Sequence, residues 1–315
     1  MDTIANSIIL VCAADDLYAM PLSVTIRSVL ENLSKDRTLS LFILDQNIQP
    51  SQKDRILQSI DFENIQVEWI KVASPTLAKI HISNPSSYPL SSYFRLLIPY
   101  LLPADIKKVI YLDTDVIVKG DLSNLWDIDI QNYYALAVQD VAVGCFSKVS
   151  HIDCQKLGVS PDQKYFNSGV MVINLEQWRI HNIPEKALSY LEHYPLRFPD
   201  QDALNIVLAQ HWRELDPHWN QGHAIHLLSS WKESPYEESA FLKALNEPYI
   251  VHFSSQPKPW MFGCTHPEKD LFFHYLSLTD WAEWKLTPFN YLLSLQKRAL
   301  RKIKRLSQKI TRLSF

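Results

Sequence analysis

The chain has 315 residues, of which 47% are hydrophobic and 21% are charged, and its formal net charge is −3. This length and composition predict a globular protein with a substantial core, organised as one large domain or two close lobes. The six glycines are too widely spaced for a dinucleotide or P-loop fingerprint, and the four cysteines form no C-x-x-C pair, which excludes those nucleotide sites and a zinc ribbon.

Strands and helices alternate along residues 1–115. Buried strands are predicted at SIILVCAAD, LSLFILD, IQVEWIKV and KKVIYLD, and helices at PLSVTIRSVLENL, SQKDRILQSI and SYFRLLIPYLLP. This alternation favours a parallel α/β sheet, in which ligands bind beyond the carboxyl ends of the strands. That edge carries acidic residues at the ends of the first and fourth strands, namely Asp15, Asp16, Asp113 and Asp115.

The pattern is less regular after residue 120. Strands are predicted at YALAVQD, GVMVIN and YIVHFS, and helices at PEKALSYLEHY and DQDALNIVLAQ. No internal repeat, low-complexity linker or clear boundary interrupts the chain. We therefore expect one α/β domain followed by a basic helical tail, with the bounds 1–285 (halves 1–115 and 116–285) and 286–315.

The stretch VIYLDTDVIVKGDL places Asp113 and Asp115 one residue apart between two apolar runs. In an extended segment, residues i and i+2 point the same way, so both carboxylates are predicted to converge while Thr114 turns away. Convergent carboxylates repel unless a cation or proton lies between them, and hard oxygen ligands suit Mg²⁺ or Mn²⁺. Two further D-x-D sequences occur in the chain, but only this one lies at a strand end with apolar runs on both sides.

Two enzymatic chemistries place a D-x-D at a strand end. A phosphoaspartyl phosphatase would use Asp113 as nucleophile and Asp115 as acid/base, and it needs a later acidic pair for magnesium. The adjacent pair Asp15/Asp16 lies upstream instead, which disfavours this chemistry. A nucleotide-sugar transferase would use a metal on the D-x-D to bridge the leaving diphosphate.

Seven blocks, in chain order, carry a resemblance to a known family. They are AADDLY, SSYFRLLIPYLLP, KVIYLDTDVIVKGDLSNLWDID, YFNSGVMVINLEQWR, DQDALN, LDPHWN and VHFSSQPKPW. Together they resemble the family 8 glycosyltransferases, the retaining group that includes bacterial lipopolysaccharide α-galactosyl- and α-glucosyltransferases and glycogenin. The resemblance implies a GT-A fold with a nucleotide-binding half (1–115) and a donor-sugar and acceptor half (116–285). It implies an enzyme that moves a hexose from UDP-glucose or UDP-galactose to a saccharide or glycolipid acceptor in lipopolysaccharide or capsule assembly.

The same resemblance implies a set of site residues. Asp113, Asp115 and His252 would ligate Mn²⁺, with Mg²⁺ as the alternative, and Lys258 would meet the diphosphate. The other donor-binding residues would be Ala13, Asp15, Arg95, Asn167, Ser168 and Ser255, and the catalytic group would be Gln201, Asp200 and Asp140. Two carboxylates with an imidazole suit Mn²⁺ better than Mg²⁺, which takes oxygen ligands almost exclusively. The remaining pair, His223 and His226, is predicted to lie in a loop without a role in the site.

Two positions depart from the family pattern. Relatives often have a polar residue where Leu17 stands, and usually a glycine where Ser255 stands, which lets the backbone approach the phosphates. These departures keep a second hypothesis open, that of a UDP-sugar-binding relative with weak or lost turnover. Because an amide is a poor nucleophile, Gln201 favours same-face attack by the acceptor over a covalent sugar–enzyme intermediate, with the amide as electrostatic support.

The tail has a charge pattern of its own. Residues 291–315 contain eight basic residues and no acidic one, with an apolar stripe formed by Ala299, Ile303, Leu306, Ile310 and Leu313. This pattern predicts a basic amphipathic helix on an anionic membrane, although a coiled-coil seam or docking on the protein's own core stays open. Widely spread cysteines and an N-terminus without a signal peptide predict a cytoplasmic protein, peripheral on the inner face of the cytoplasmic membrane. Nucleic acid is not an expected partner, because no aromatic residues interleave the basic run.

Overall fold

A computed structural model of the chain describes residues 7–72, 89–149 and 151–288, together with Leu292 and Gln296. Its strands, in chain order, are β1 (Ser7–Asp15), β2 (Thr38–Gln46), β3 (Ile65–Lys71), β4 (Lys108–Leu112), β5 (Val116–Val118), β6 (Ala135–Gln139), β7 (Phe166–Asn174), β8 (Trp212–Glu214), β9 (Gln221–Gly222) and β10 (Ile250–His252). All seven strands predicted from the sequence are among them.

Helices connect these strands. The α-helices of the described residues are α1 (Ala19–Asn32), α2 (Pro50–Ser59), α3 (Ile98–Leu101), α4 (Leu122–Trp126), α5 (Cys154–Leu157), α6 (Leu175–Ile180), α7 (Ile183–His193), α8 (Pro199–Leu208), α9 (Glu238–Asn246) and α10 (Lys269–Leu276). Short 3-10 segments lie at Asp16–Tyr18, Leu90–Leu97, Phe146–Lys148, Pro217–Trp219, His223–Leu227 and Trp231–Glu233. The helix predicted at SYFRLLIPYLLP is therefore a 3-10 segment that continues into α3.

The main sheet has seven strands in the order β3-β2-β1-β4-β7-β6-β8. Strands β1 to β4 are mutually parallel, as the alternation of strands and helices predicted. In contrast, β7 is antiparallel to both of its neighbours, β4 and β6, so the complete sheet is mixed. The expectation of an α/β fold is confirmed, with one strand reversed inside a mostly parallel sheet.

Both faces of the main sheet are covered. Alternate residues of β1 enter opposite cores: Ile8 and Leu10 belong to one apolar cluster, whereas Ile9 and Val11 belong to the other. Every residue of β1 is buried, and side chains alternate between the faces of a strand. A strand that is apolar on both faces is the pattern expected for the interior of an α/β sheet.

A second, smaller sheet has the order β5-β10-β9. Strand β10 pairs antiparallel with β5, so that His252 lies opposite Val116, and parallel with β9, so that His252 lies opposite Gly222. Because β5 begins directly after Asp115, this pairing brings the end of β10 beside the D-x-D. The sequence did not predict this sheet.

Several expectations concern residues that lie outside the described ones. The tail at 286–315 is almost entirely in this category, so its amphipathic helix stays a prediction. The division of residues 1–285 into two halves also stays a prediction. Among the described residues, no helix combines the length and apolar character needed to cross a bilayer.

Candidate active site

Three side chains converge where the two sheets meet. The Nε2 atom of His252 lies 3.3 Å from Oδ1 of Asp115 and 3.9 Å from Oδ2 of Asp113. One potential ligand atom from each of the three residues lies within 4.8 Å of the others, and within the described part of the chain no further group of His, Cys, Asp and Glu meets this criterion. These are the three residues that the family resemblance implied as metal ligands.

The backbone between β4 and β5 differs from the prediction. The carboxylates of Asp113 and Asp115 were expected to converge because the segment is extended, but residues 114–115 form a turn that leaves the main sheet for the smaller one. The Asp113 N–H donates to the Gly169 carbonyl (2.8 Å), and the Asp115 carbonyl accepts from the Phe253 N–H (3.0 Å). The two carboxylates therefore converge because backbone hydrogen bonds fix this turn to both sheets, and not because of strand periodicity.

The charge of Asp115 is stabilised by its surroundings. Burial alone would raise the pKa of this carboxyl, but the charge of Lys258, together with the neighbouring His252 imidazole, holds it below its ordinary value. The Nζ atom of Lys258 donates to Oδ2 of Asp115 (2.6 Å) and to the carbonyl of Phe253. Among the described residues, Oδ1 of Asp115 is buried without a hydrogen-bond partner. A buried, ionised oxygen beside an imidazole nitrogen fits a divalent cation.

Arg95 links the D-x-D to α8. Its Nη2 donates to Oδ1 of Asp113 (2.6 Å), its Nε pairs with Oδ2 of Asp200 (3.0 Å), and its Nη1 donates to the carbonyl (2.6 Å) and Oγ (2.9 Å) of Ser168. The guanidinium also lies over the Tyr111 ring, 4.6 Å from its centroid. The predicted donor-binding residue Arg95 is thus in direct contact with Ser168 and with Asp113.

Asp200 and Gln201 lie in the first turn of α8, which begins at Pro199. Burial raises the pKa of the Asp200 carboxyl to about 6, against the opposing charge of Arg95. Gln201 is oriented by two hydrogen bonds: its Oε1 accepts from the Ser168 N–H (3.1 Å), and its Nε2 donates to the Tyr165 hydroxyl (3.4 Å). The amide is therefore held in one orientation beside the Arg95–Asp200 pair.

Asp140 and Asn167, two further predicted site residues, are hydrogen-bonded to each other. Oδ2 of Asp140 accepts from Nδ2 of Asn167 (3.0 Å), and Oδ1 of Asp140 accepts the backbone N–H groups of Ala142 and Val143. Asp140 follows β6, and Asn167 lies at the start of β7. Asp140 therefore fixes the loop after β6 as well as the Asn167 amide.

Ala13 and Asp15 lie at the carboxyl end of β1, which pairs with β4 up to Cys12 and Leu112. Oδ1 of Asp15 accepts the N–H groups of Leu17 and Tyr18, so this carboxylate also begins the first 3-10 segment. The predicted nucleotide-side residues thus share the sheet edge with Asp113. Ser255 lies in the loop that joins β10 to Lys258.

Gly169 packs closely against two of the three candidate metal ligands, His252 and Asp113. A Cβ atom at this position would lie 2.3 Å from Cε1 of His252 and 2.7 Å from Oδ2 of Asp113. Both distances are shorter than any real contact of a Cβ atom, so only glycine fits here without displacing a ligand. No pattern in the sequence predicts a role for this glycine.

His223 and His226 lie in a short 3-10 segment rather than an irregular loop. Their rings pack against His266, with centroids 4.8 Å and 5.0 Å away. Burial lowers the pKa of all three imidazoles, that of His266 to about 3. They form a neutral aromatic cluster against Phe253, next to the site and outside the candidate ligand set.

The sequence profile described as Glycosyl transferase family 8 matches residues 9–264. The chain belongs to glycosyl transferase family 8. This family 8 glycosyltransferase is 35% identical to General stress protein A of Bacillus subtilis (strain 168), over 86% of the chain and 94% of that relative. It is 26% identical to a lipopolysaccharide 1,2-glucosyltransferase of Escherichia coli, over 85% of the chain and 77% of that protein.

Solved structures of glycosyltransferases show the same fold. The galactosyltransferase LgtC, crystallised with donor and acceptor sugar analogs, matches with a TM-score of 0.73 at 26% identity, over 86% of this chain and 96% of that chain. The bifunctional glycosyltransferase WbbM matches with a TM-score of 0.76 at 23% identity, over 90% of this chain and 52% of that longer chain. The GT-A fold predicted from the sequence is therefore confirmed.

Proposed function

We propose that this glycosyltransferase moves a hexose from UDP-glucose or UDP-galactose to a saccharide or glycolipid acceptor, with retention of configuration and with Mn²⁺ (alternatively Mg²⁺) as cofactor. The observation that carries the proposal is the convergence of Asp113, Asp115 and His252 beside Lys258. Two relatives, a lipopolysaccharide 1,2-glucosyltransferase and a galactosyltransferase, support a hexose donor, and the first of them supports a role in lipopolysaccharide assembly, with capsule assembly as the alternative.

Different residues are proposed to bind the metal, the diphosphate and the nucleoside of the donor. Asp113, Asp115 and His252 would hold the metal, whose positive charge would stabilise the leaving diphosphate as a Lewis acid. The Lys258 ammonium, already beside Asp115, adds a second positive charge for the diphosphate. Ala13 and Asp15, at the end of β1, are proposed for the uracil and ribose side of the donor.

The sugar side of the donor faces a separate group of residues in this proposal. The hexose would be surrounded by Arg95, Asn167, Ser168, Asp200 and Asp140. Ser255, in the loop that joins β10 to Lys258, would lie near the diphosphate. The acceptor hydroxyl attacks from the face that the diphosphate leaves, and the oriented carbonyl of Gln201 stabilises the positive charge that develops on the sugar. Asp200 pairs with Arg95, and its role in this proposal is to orient sugar hydroxyls rather than to attack.

A donor panel tests the proposal. The protein, with Mn²⁺ and without acceptor, is incubated with UDP-glucose, UDP-galactose and UDP-N-acetylglucosamine, and released UDP and inorganic phosphate are measured separately. We expect slow release of intact UDP from one of the hexose donors and no inorganic phosphate. A phosphoaspartyl adduct on Asp113 would overturn the proposal in favour of a phosphatase. No UDP release from any donor, despite UDP binding, would favour a UDP-sugar-binding relative.

Gln201 offers a test of the reaction course. We expect Gln201→Ala to lower kcat by roughly 100-fold, as for loss of one oriented electrostatic group, while leaving a measurable rate. The exposed Gln155→Ala is a control, with unchanged kcat. Mass spectrometry of the enzyme with a slow donor tests the alternative mechanism. A glycosyl adduct on Asp140 or Asp200 would show a covalent intermediate and would contradict same-face attack.

The basic tail leads us to propose that the enzyme works on the cytoplasmic face of the inner membrane, where a glycolipid acceptor would be exposed. Each basic residue near an anionic surface contributes about 1 kcal/mol, so half of the eight would give roughly a thousandfold enrichment. Truncation after residue 290 is expected to abolish sedimentation with phosphatidylserine vesicles but to preserve UDP-sugar hydrolysis. A full chain that stays in the supernatant at low salt would contradict membrane anchoring and favour self-association.

A further inference from the structure

The second nitrogen of the His252 imidazole is not free. Its Nδ1 lies 2.9 Å from Oδ1 of Asn220, while its Nε2 faces Asp113 and Asp115. In a neutral imidazole one nitrogen carries the proton and the other presents a lone pair. Only a ring protonated on Nδ1 can offer Nε2 to a metal, so the partner of Nδ1 decides whether His252 is a competent ligand.

A chain of hydrogen bonds fixes the orientation of the Asn220 amide. The Gly169 N–H, which can only donate, donates to Oδ1 of Asn167 (3.0 Å), and Nδ2 of Asn167 donates to Oδ2 of Asp140 (3.0 Å). The same Oδ1 of Asn167 lies 2.9 Å from Nδ2 of Asn220. Because that oxygen can only accept, Asn220 turns its Nδ2 towards Asn167 and its Oδ1 towards His252.

The backbone holds Asn220 in this place. Asn220 is 3% exposed and directly precedes β9, whose Gln221 and Gly222 pair with Val251 and His252. The register of the small sheet therefore sets the amide next to the imidazole. Asn220 belongs to the block LDPHWN, yet a sequence pattern gives no sign that its side chain lies opposite His252.

We infer that Asn220 is a positioning residue for the metal centre. Its Oδ1 accepts the Nδ1 proton of His252 and thereby keeps the Nε2 lone pair directed at the two carboxylates. Partners of this kind fix the tautomer and ring orientation of metal-ligating histidines and raise their basicity. The inference rests on the proposed metal site, and it adds that the site is connected through Asn220 and Asn167 to Asp140, on the proposed sugar side.

Two substitutions separate the hydrogen bond from the volume of the side chain. Asn220→Leu keeps a similar volume and removes both polar groups, whereas Asn220→Asp keeps an acceptor for His252 and removes the donor to Asn167. Asn174→Leu is a matched control, because Asn174 is also buried and also uses both ends of its amide in hydrogen bonds, three in all against two for Asn220, at the far end of β7. It should cost stability without touching the site.

The experiment measures two properties of the full chain. The tautomer of His252 is determined by ¹⁵N NMR in the metal-free protein at pH 8, and Mn²⁺ affinity is measured by EPR. We expect Nδ1–H in the wild type, in Asn220→Asp and in Asn174→Leu. In Asn220→Leu we expect Nε2–H to be populated and Mn²⁺ affinity to fall 10- to 100-fold.

The outcomes distinguish this inference from the proposed function. A wild-type His252 protonated on Nε2, or an Asn220→Leu variant with wild-type Mn²⁺ affinity, would overturn the positioning role while leaving a metal-dependent transferase intact. If Asn174→Leu loses as much Mn²⁺ affinity as Asn220→Leu, the effect is general destabilisation, and the role is likewise overturned. A wild type that carries Nδ1–H but binds no Mn²⁺ would instead overturn the proposed metal site.

Discussion

Asp115→Asn is expected to lower the rate of transfer by at least a thousandfold and to abolish Mn²⁺-dependent UDP binding. Asp115 is 13% exposed in its side chain, and its Oδ1 lies 3.3 Å from Nε2 of His252. A metal ion that stabilises a leaving group contributes several kcal/mol to the transition state, and about 4 kcal/mol corresponds to a thousandfold. The asparagine keeps the shape but removes the charge, so the loss is electrostatic rather than steric.

The same substitution leaves the Lys258 ammonium buried without its carboxylate, so stability must be measured as well. Loss of one partner of a buried ion pair costs about 3–5 kcal/mol, and thermal unfolding would report it. Asp127→Asn is the control, since Asp127 belongs to another D-x-D and its side chain is 52% exposed; it should retain activity. Full activity of the wild type in EDTA would contradict the metal assignment.

Gly169→Ala is expected to abolish Mn²⁺ binding although it adds only a methyl group. The new Cβ would overlap Cε1 of His252 at 2.3 Å and Oδ2 of Asp113 at 2.7 Å. Two ligands would have to move apart, and overpacking of this kind costs roughly 1–3 kcal/mol in stability. Mn²⁺ affinity by EPR and the melting temperature would measure the two effects.

Gly158→Ala is the matched control for Gly169→Ala. No atom lies within 4 Å of a Cβ at position 158, although its φ of +68° makes alanine strained. We therefore expect lower stability with unchanged Mn²⁺ affinity. If Gly169→Ala binds Mn²⁺ as tightly as the wild type, the ligand cluster is not packed as described, and the metal site would have to lie elsewhere.

The sequence predicted the elements of the fold better than their directions. Residues 8–14 of β1 are apolar without interruption because both faces of the strand are buried, and such a run identifies a central strand. The run in β7 is apolar in the same way, yet β7 is antiparallel to its neighbours. Burial leaves the same pattern in a parallel and an antiparallel strand, so strand direction had to come from the three-dimensional structure.

The site could be predicted from the sequence where charged side chains interrupt an apolar segment. Asp113 and Asp115 stood out in this way, and the resemblance to a family supplied His252, Arg95 and the other members. Gly169 and Asn220 were missed for a physical reason. The role of Gly169 is the absence of a side chain, and that of Asn220 depends on one hydrogen bond to a residue 32 positions away in the chain. Neither property leaves a local pattern.

The pairing of β5 with β10 also has a consequence for biosynthesis. The D-x-D leaves the ribosome well before its imidazole and ammonium partners, and Lys258 follows Asp115 by 143 positions. Until β10 has been synthesised and has closed this long loop, Asp115 lacks both of these partners. A nascent or truncated chain that lacks β10 therefore lacks one of the three candidate metal ligands, and we expect it to be inactive until β10 is in place.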